Sequence, residues 1–106
     1  MTTQNLFRGI PPKLPDELIE TLAASPHARI ERIVSRGHRS PPGFWYDQDQ
    51  AEWVLVVQGE AALRFERDQR IVRLGAGDHL VIPAHERHRV EWTRDGEDTI
   101  WLAVFY

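Results

Sequence analysis

What most constrains the fold of this chain is a succession of short β-type runs that starts just after Ala28 and continues to the end. The runs are RIERIVSR, EWVLVVQ, EAALRFE, RIVRL, DHLVIP, HRVEWT and TIWLAVFY. Between them stand GHRSPPG, GE, RDQ, GAG, AHER and RDGED. Gly there supplies positive φ, Pro a preset φ, and Asp or Ser a local acceptor for the turning backbone. Strands at this spacing predict an all-β sandwich or barrel. Seven of them between Ala28 and Tyr106 leave no room for crossover helices, so neighbours should pair antiparallel.

The first 27 residues follow a different pattern. Pro11, Pro12 and Pro15 each lack a backbone donor and bias the residue before them toward extended conformations, which predicts an irregular arm over residues 1–15. PDELIETLAAS then predicts a short helix, with Asp16 as N-cap, Glu17 and Glu20 near its positive end, and an apolar stripe of Leu18, Ile19 and Leu22. Pro26 should end it. The expected division is an arm and helix, 1–27, packed on a barrel, 28–106. In HRVEWT, alternation sets His88, Val90 and Trp92 on one face and Arg89, Glu91 and Thr93 on the other. WVLVV and IWLAVFY are apolar on both faces, so their outer sides should be covered by the N-terminal segment or by another subunit. A homodimer is the expectation.

Composition narrows the function classes. A length of 106 residues suits one domain, and 42 % hydrophobic with 27 % charged residues is ordinary for a globular chain. A net charge of −3 leaves no cationic excess for phosphates or an anionic bilayer, so neither nucleic acid nor membrane is an expected partner. The start MTTQNLFRGIPPKLPDE lacks the basic end and apolar region of a secretory signal, and a cytoplasmic location is expected. Cysteine is absent, which removes disulfides, thiolate ligands and a Cys nucleophile; a metal would need His, carboxylate, amide or phenol donors. There is no phosphate loop and no nucleophile elbow. In HERH the two histidines are three apart in a turn-and-strand region, not four apart on a helix, so a metalloprotease reading is rejected.

The stretch WYDQDQAEW, Trp45 to Trp53, sets Tyr46, Asp47, Gln48 and Glu52 directly before VLVV. It is either a solvated connection or one wall of a pocket. Glu52 is followed after six residues by Gly59, Gly77 after five by Pro83, and His88 stands five positions beyond the proline. This joint spacing resembles the two sequence motifs of the cupin superfamily, His-x-His, three or four residues, Glu, six residues, Gly, and Gly, five residues, Pro-x-Gly, two residues, His, three residues, Asn. The resemblance runs from about Ile30 to Tyr106 and implies an antiparallel jelly-roll barrel. The departures fall on the metal positions. The His pair is replaced by Tyr46 and Gln48 in one register or by Trp45 and Asp47 in the other; His85 stands at the second motif's glycine and Trp92 at its asparagine.

The resemblance implies that Glu52 and His88 meet inside the barrel, with Gln48 as a further metal donor, Tyr46, Asp47 or His85 completing the site, and Tyr46, Asp47, Glu52 and His85 as candidates for proton transfer. One divalent metal ion, iron, manganese, nickel or zinc, would suit mixed nitrogen and oxygen ligands. Each residue also has a plainer role open to it. His88 would serve as a polar residue at a barrel mouth, Glu52 as an ion-pair partner of Arg36 or Arg89, and His85 as a rim residue. His38 is expected in an exposed loop. Of the four tryptophans, one or two should touch a ligand and the others the core or an interface. The functions that follow are an enzyme of dioxygenase, isomerase, decarboxylase or lyase type on a small organic substrate, with or without metal, or a non-catalytic module that binds a small metabolite.

Overall fold

A computed structural model describes residues 1–106. Eight strands follow in order: β1 (Leu18–Ala24), β2 (Arg29–Ser35), β3 (Glu52–Gln58), β4 (Glu60–Phe65), β5 (Ile71–Gly75), β6 (His79–Ile82), β7 (His88–Thr93) and β8 (Thr99–Phe105). They form a five-stranded sheet in the order β1-β2-β8-β3-β6 and a three-stranded sheet in the order β5-β4-β7. Every pairing is antiparallel, as the missing crossovers require. All seven β-type runs are strands. No helix is long and apolar enough to cross a membrane.

The two sheets face each other across a core of Val54, Val56, Ala61, Leu63, Phe65, Leu74, Ile82 and Trp101. Each large side chain there contributes about 1.5–3 kcal/mol by leaving water. Alternation along β3 and β8 carries the core: Val54 and Val56, then Trp101 and Ala103, point inward and are buried. Trp53, Leu55, Leu102 and Val104 point outward and are half-buried, while Val81 beside them is 52 % exposed.

The expected helix is corrected: Leu18–Ala24 is an edge strand, paired with β2 from Leu18↔Val34 to Ala24↔Arg29. A helix this short is marginal on its own, whereas the open edge of β2 presents a row of unpaired backbone groups. The supposed stripe is thereby divided, with Leu18 on the outer face and Ile19 on the cavity side, where it stays exposed at the edge. The arm before it is ordered by the chain's own cations. Buried Arg32 donates to the carbonyls of Leu6 (2.9 Å) and Arg8 (2.6 Å), and Arg36 to that of Pro12 (3.0 Å). His38 bonds the Pro15 carbonyl at 3.1 Å, so it fastens the arm instead of standing free in a loop.

A second correction concerns β7. The register shifts between Ala62 and Leu63 of β4, which pair with Trp92 and Val90, so Glu91 is an extra residue. Such a bulge reverses side-chain direction beyond it. Trp92 therefore leaves the face of His88 and Val90 and lies under the Arg73 guanidinium, 5.5 Å from the ring centroid. Thr93 takes the inner face, where it is buried and donates to the His38 carbonyl at 2.6 Å.

Candidate functional site

Between the sheets lies a cavity of about 200 Å³. Tyr46, Gln48, Glu52 and His88 all line it, so WYDQDQAEW is a pocket wall. The inward register is Tyr46 and Gln48. Tyr46 forms an isolated antiparallel bridge with His88, with backbone bonds of 2.7 and 3.2 Å, and its ring stacks on the imidazole at a centroid distance of 5.4 Å. Glu52 opens β3 on the inner face.

Glu52 and His88 are 7 % and 5 % exposed, with Oε1 and Nε2 3.5 Å apart. His88 Nδ1 lies 2.8 Å from the Glu86 carbonyl oxygen. A carbonyl can only accept, so Nδ1 carries a hydrogen and Nε2 is the nitrogen free to gain or lose a proton. It faces the carboxylate, and neither Nε2 nor that carboxylate makes a hydrogen bond elsewhere. A single proton, or a group on a ligand, is what this arrangement can hold. Arg36 and Arg89, the expected alternative partners of Glu52, are engaged elsewhere, Arg36 with Asp98 at 2.6 Å and Arg89 with the carbonyls of Ser40 and Pro41.

Three further polar residues reach the cavity that sequence reasoning had not placed there: Glu17, Arg29 and Glu31. Glu17 accepts the Ser35 hydroxyl at 2.5 Å, and Ser35 in turn accepts the Trp101 indole N–H at 3.1 Å. Arg29 Nε donates to Glu31 at 2.8 Å, with its guanidinium 4.4 Å from the Phe105 ring centroid. Burial raises the Tyr46 phenol above its ordinary range, and the carboxylates of Glu17, Glu52 and Glu31 raise it further. Tyr46 therefore stays a neutral hydrogen-bond donor at neutral pH. Of the four tryptophans only Trp101 lines the cavity.

His85 does not line the cavity. It is exposed, bonds Asp47 Oδ1 at 2.8 Å through Nδ1, and lies 3.7 Å from Asp49. Its φ of 63° is left-handed, which explains why the family motif has glycine there. The bond to Asp47 raises the imidazole above 6.5, helped by the charges of Asp47 and Asp49. A raised folded value means that the pair stabilises the fold fully below the unfolded pKa and loses that contribution as pH rises through the folded one. An NMR titration should place His85 above 6.5 in the native protein and nearer it in Asp47→Asn. A native value at or below 6.5 would show that the pair does not form in solution.

As a metal site the wall is incomplete. Nowhere do three or more His, Cys, Asp or Glu side chains gather as potential ligands. Glu52 and His88 provide two strong donors, and the positions of the family's His pair carry only a neutral phenol and an amide. First-row divalent ions are held by three or four protein ligands in ordinary sites, so this donor set does not fit one tightly.

Comparison with known proteins agrees with the barrel. The cupin domain family matches residues 33–105. A protein of Ralstonia eutropha JMP134, assigned provisionally as a mannose-6-phosphate isomerase, is 48 % identical, with a TM-score of 0.93 over 99 % of this chain and 97 % of that one. A cupin superfamily protein of Desulfitobacterium hafniense DCB-2 has 22 % identity and a TM-score of 0.75, covering 91 % of this chain and 82 % of its own. An RmlC-like cupin of Methanocaldococcus jannaschii with a double-stranded β-helix fold has 18 % identity and a TM-score of 0.71, covering 92 % and 85 %. No curated protein matches the chain. With the motif residues Glu52, Gly59, Gly77, Pro83 and His88 in place on a two-sheet jelly roll and the family match spanning most of its length, the chain belongs to the cupin family.

Proposed function

We propose that this cupin is an isomerase-type enzyme that moves a proton on a small organic molecule held between its sheets. The observation that carries the reading is the buried pair of the Glu52 carboxylate and His88 Nε2, 3.5 Å apart and neither hydrogen-bonded elsewhere, on the wall of the cavity. The isomerase name of the Ralstonia relative supports the reaction class. In a hydroxy-carbonyl substrate, the Glu52 carboxylate takes the proton from the carbon next to the carbonyl, and the electron pair moves onto the carbonyl oxygen. The neutral Tyr46 hydroxyl donates a hydrogen bond to that oxygen as charge develops on it. Return of the proton to the neighbouring carbon, with His88 Nε2 carrying a proton between the oxygens, completes a transfer that is neutral overall.

The test is exchange with solvent. Incubation of the full chain with a panel of small hydroxyaldehydes and hydroxyketones in D₂O should replace a carbon-bound proton with deuterium, seen by NMR. Saturable binding without exchange in any member would overturn the enzyme reading in favour of a metabolite-binding module.

The donor set also predicts weak metal binding. After incubation with iron(II), manganese, nickel or zinc and desalting, the protein should retain less than about a tenth of an equivalent. Near-stoichiometric metal that is lost in His88→Ala would show that Gln48, Glu52 and His88 form a metal centre after all. The outer face of Trp53, Leu55, Val81, Leu102 and Val104 is proposed to pair with a second copy, since the arm covers only the β1–β2 side of the sheet. A monomeric mass by sedimentation at micromolar concentration would refute that pairing.

A further inference from the structure

We propose that the cavity takes a compact unphosphorylated ligand carrying a cationic nitrogen, and that it rejects phosphate esters. The inference rests on the reading that this cavity is the substrate site, and it names the class of molecule that fits. Three carboxylates line the space, Glu17, Glu31 and Glu52, against one permanent cation, Arg29. Its charge is balanced by Glu31, which accepts from Nε at 2.8 Å, and its guanidinium lies 4.4 Å from the Phe105 ring centroid, so the lining as a whole is net negative. No other Arg or Lys lines the cavity. A phosphate ester needs Arg, Lys or several free N–H donors, and here it would meet carboxylates in a partly desolvated space.

The same groups suit an ammonium. Glu17 has only the neutral Ser35 hydroxyl as hydrogen-bond partner, and the Glu52 carboxylate has none. Glu52 is 93 % buried, from its 7 % exposure, and aims into the cavity, as does the unbonded Nε2 of His88. A buried carboxylate without a hydrogen bond is costly unless a ligand supplies one. Two aromatic residues, Tyr46 and Trp101, are also on the wall, and aromatic rings near a cation add attraction. The Tyr46 phenol is raised first by burial, and all three carboxylates add to the shift in the sense this field requires. The phosphate in the name of the Ralstonia protein is thus the feature that this chain's cavity does not accommodate.

The test is a charge series of constant shape, n-butylammonium, n-butanol and n-butyl phosphate, titrated into the full chain. Binding is followed by NMR at the indole N–H of Trp101, a residue that lines the cavity and donates to Ser35, the partner of Glu17. Butylammonium should bind at least about tenfold more tightly than butanol, and butyl phosphate more weakly than either. Glu17→Gln, which keeps an oxygen acceptor for Ser35, should lower the ammonium affinity about three- to fivefold and leave that of butanol unchanged. Butyl phosphate binding as tightly as butylammonium, equal affinity for the alcohol and the ammonium, or no response at Trp101 would each overturn the ligand class. None of these results affects the exchange test of Glu52 and His88, so the ligand class and the proton-transfer reading fail separately.

Discussion

Gly59→Ala is expected to cost this protein a large part of its stability. Gly59 has a φ of 92°, and a Cβ there would lie 2.5 Å from Thr99 Oγ1, 2.7 Å from Thr99 Cα and 2.9 Å from Thr99 Cβ. Two of those atoms belong to the backbone and branch point of a fully buried residue, so a rotamer change cannot relieve the contact. Thr99 is itself held by its hydroxyl, 3.3 Å from both the N–H and the carbonyl of Glu60. Making room would push the start of β8 away from the β3–β4 corner, and β8 is the central strand of the larger sheet. Positive φ in a residue with a side chain costs about 1–3 kcal/mol, and overpacking a similar amount, in a fold whose total stability is about 5–15 kcal/mol. A fall in Tm of roughly 10 °C or more should follow in thermal unfolding followed by circular dichroism. An unchanged Tm would mean that the corner relaxes and that the close approach to Thr99 is unimportant.

Gly59 also shows what made the barrel legible. The spacing from Glu52 to Gly59 spans one inward-pointing strand and the corner after it, and the corner demands a residue without Cβ. Period-two alternation and turn residues therefore carried β2 to β8 directly. The two failures have another origin. Leu18, Ile19 and Leu22 suit a helical stripe as well as an edge strand, and only the open edge of β2, a tertiary feature, decides between them. The bulge at Glu91 leaves no mark in HRVEWT, whose alternation is unbroken in sequence while the side chains change face at that point.

The site was legible in part for similar reasons. Glu52 and His88 sit at strand starts whose direction follows from the alternation beyond them. Tyr46 and Gln48 precede β3 in irregular chain, where alternation has no authority; the backbone bridge from Tyr46 to His88 is what turns them inward. Glu17 was missed because its place in the cavity depends on β1 being a strand. Arg29 and Glu31 were missed because a charged inner face in RIERIVS looks the same in sequence as a solvated one.

Glu52→Gln and His88→Gln are each expected to slow deuterium exchange by about 10²–10⁴-fold, the range for loss of a positioned acid or base. Both replacements preserve the packing. In Glu52→Gln the new amide keeps the carboxylate's shape and can donate to His88 Nε2, while in His88→Gln an amide can still donate to the Glu86 carbonyl. Tm should accordingly stay within a few degrees of wild type, which separates loss of chemistry from loss of fold. Because the carboxylate and imidazole face each other at 3.5 Å over one substrate, and the carbon and oxygen proton transfers they carry are both needed for one turnover, they act as a unit. The double variant should then be little worse than either single one, not slower by the product of the two effects. A multiplicative loss would mean two independent roles, and near-wild-type exchange in either single variant would remove the pair from the chemistry. In that second case the unbonded carboxylate would serve ligand binding alone, and Glu52→Gln would weaken binding while leaving the exchange rate at saturating substrate unchanged.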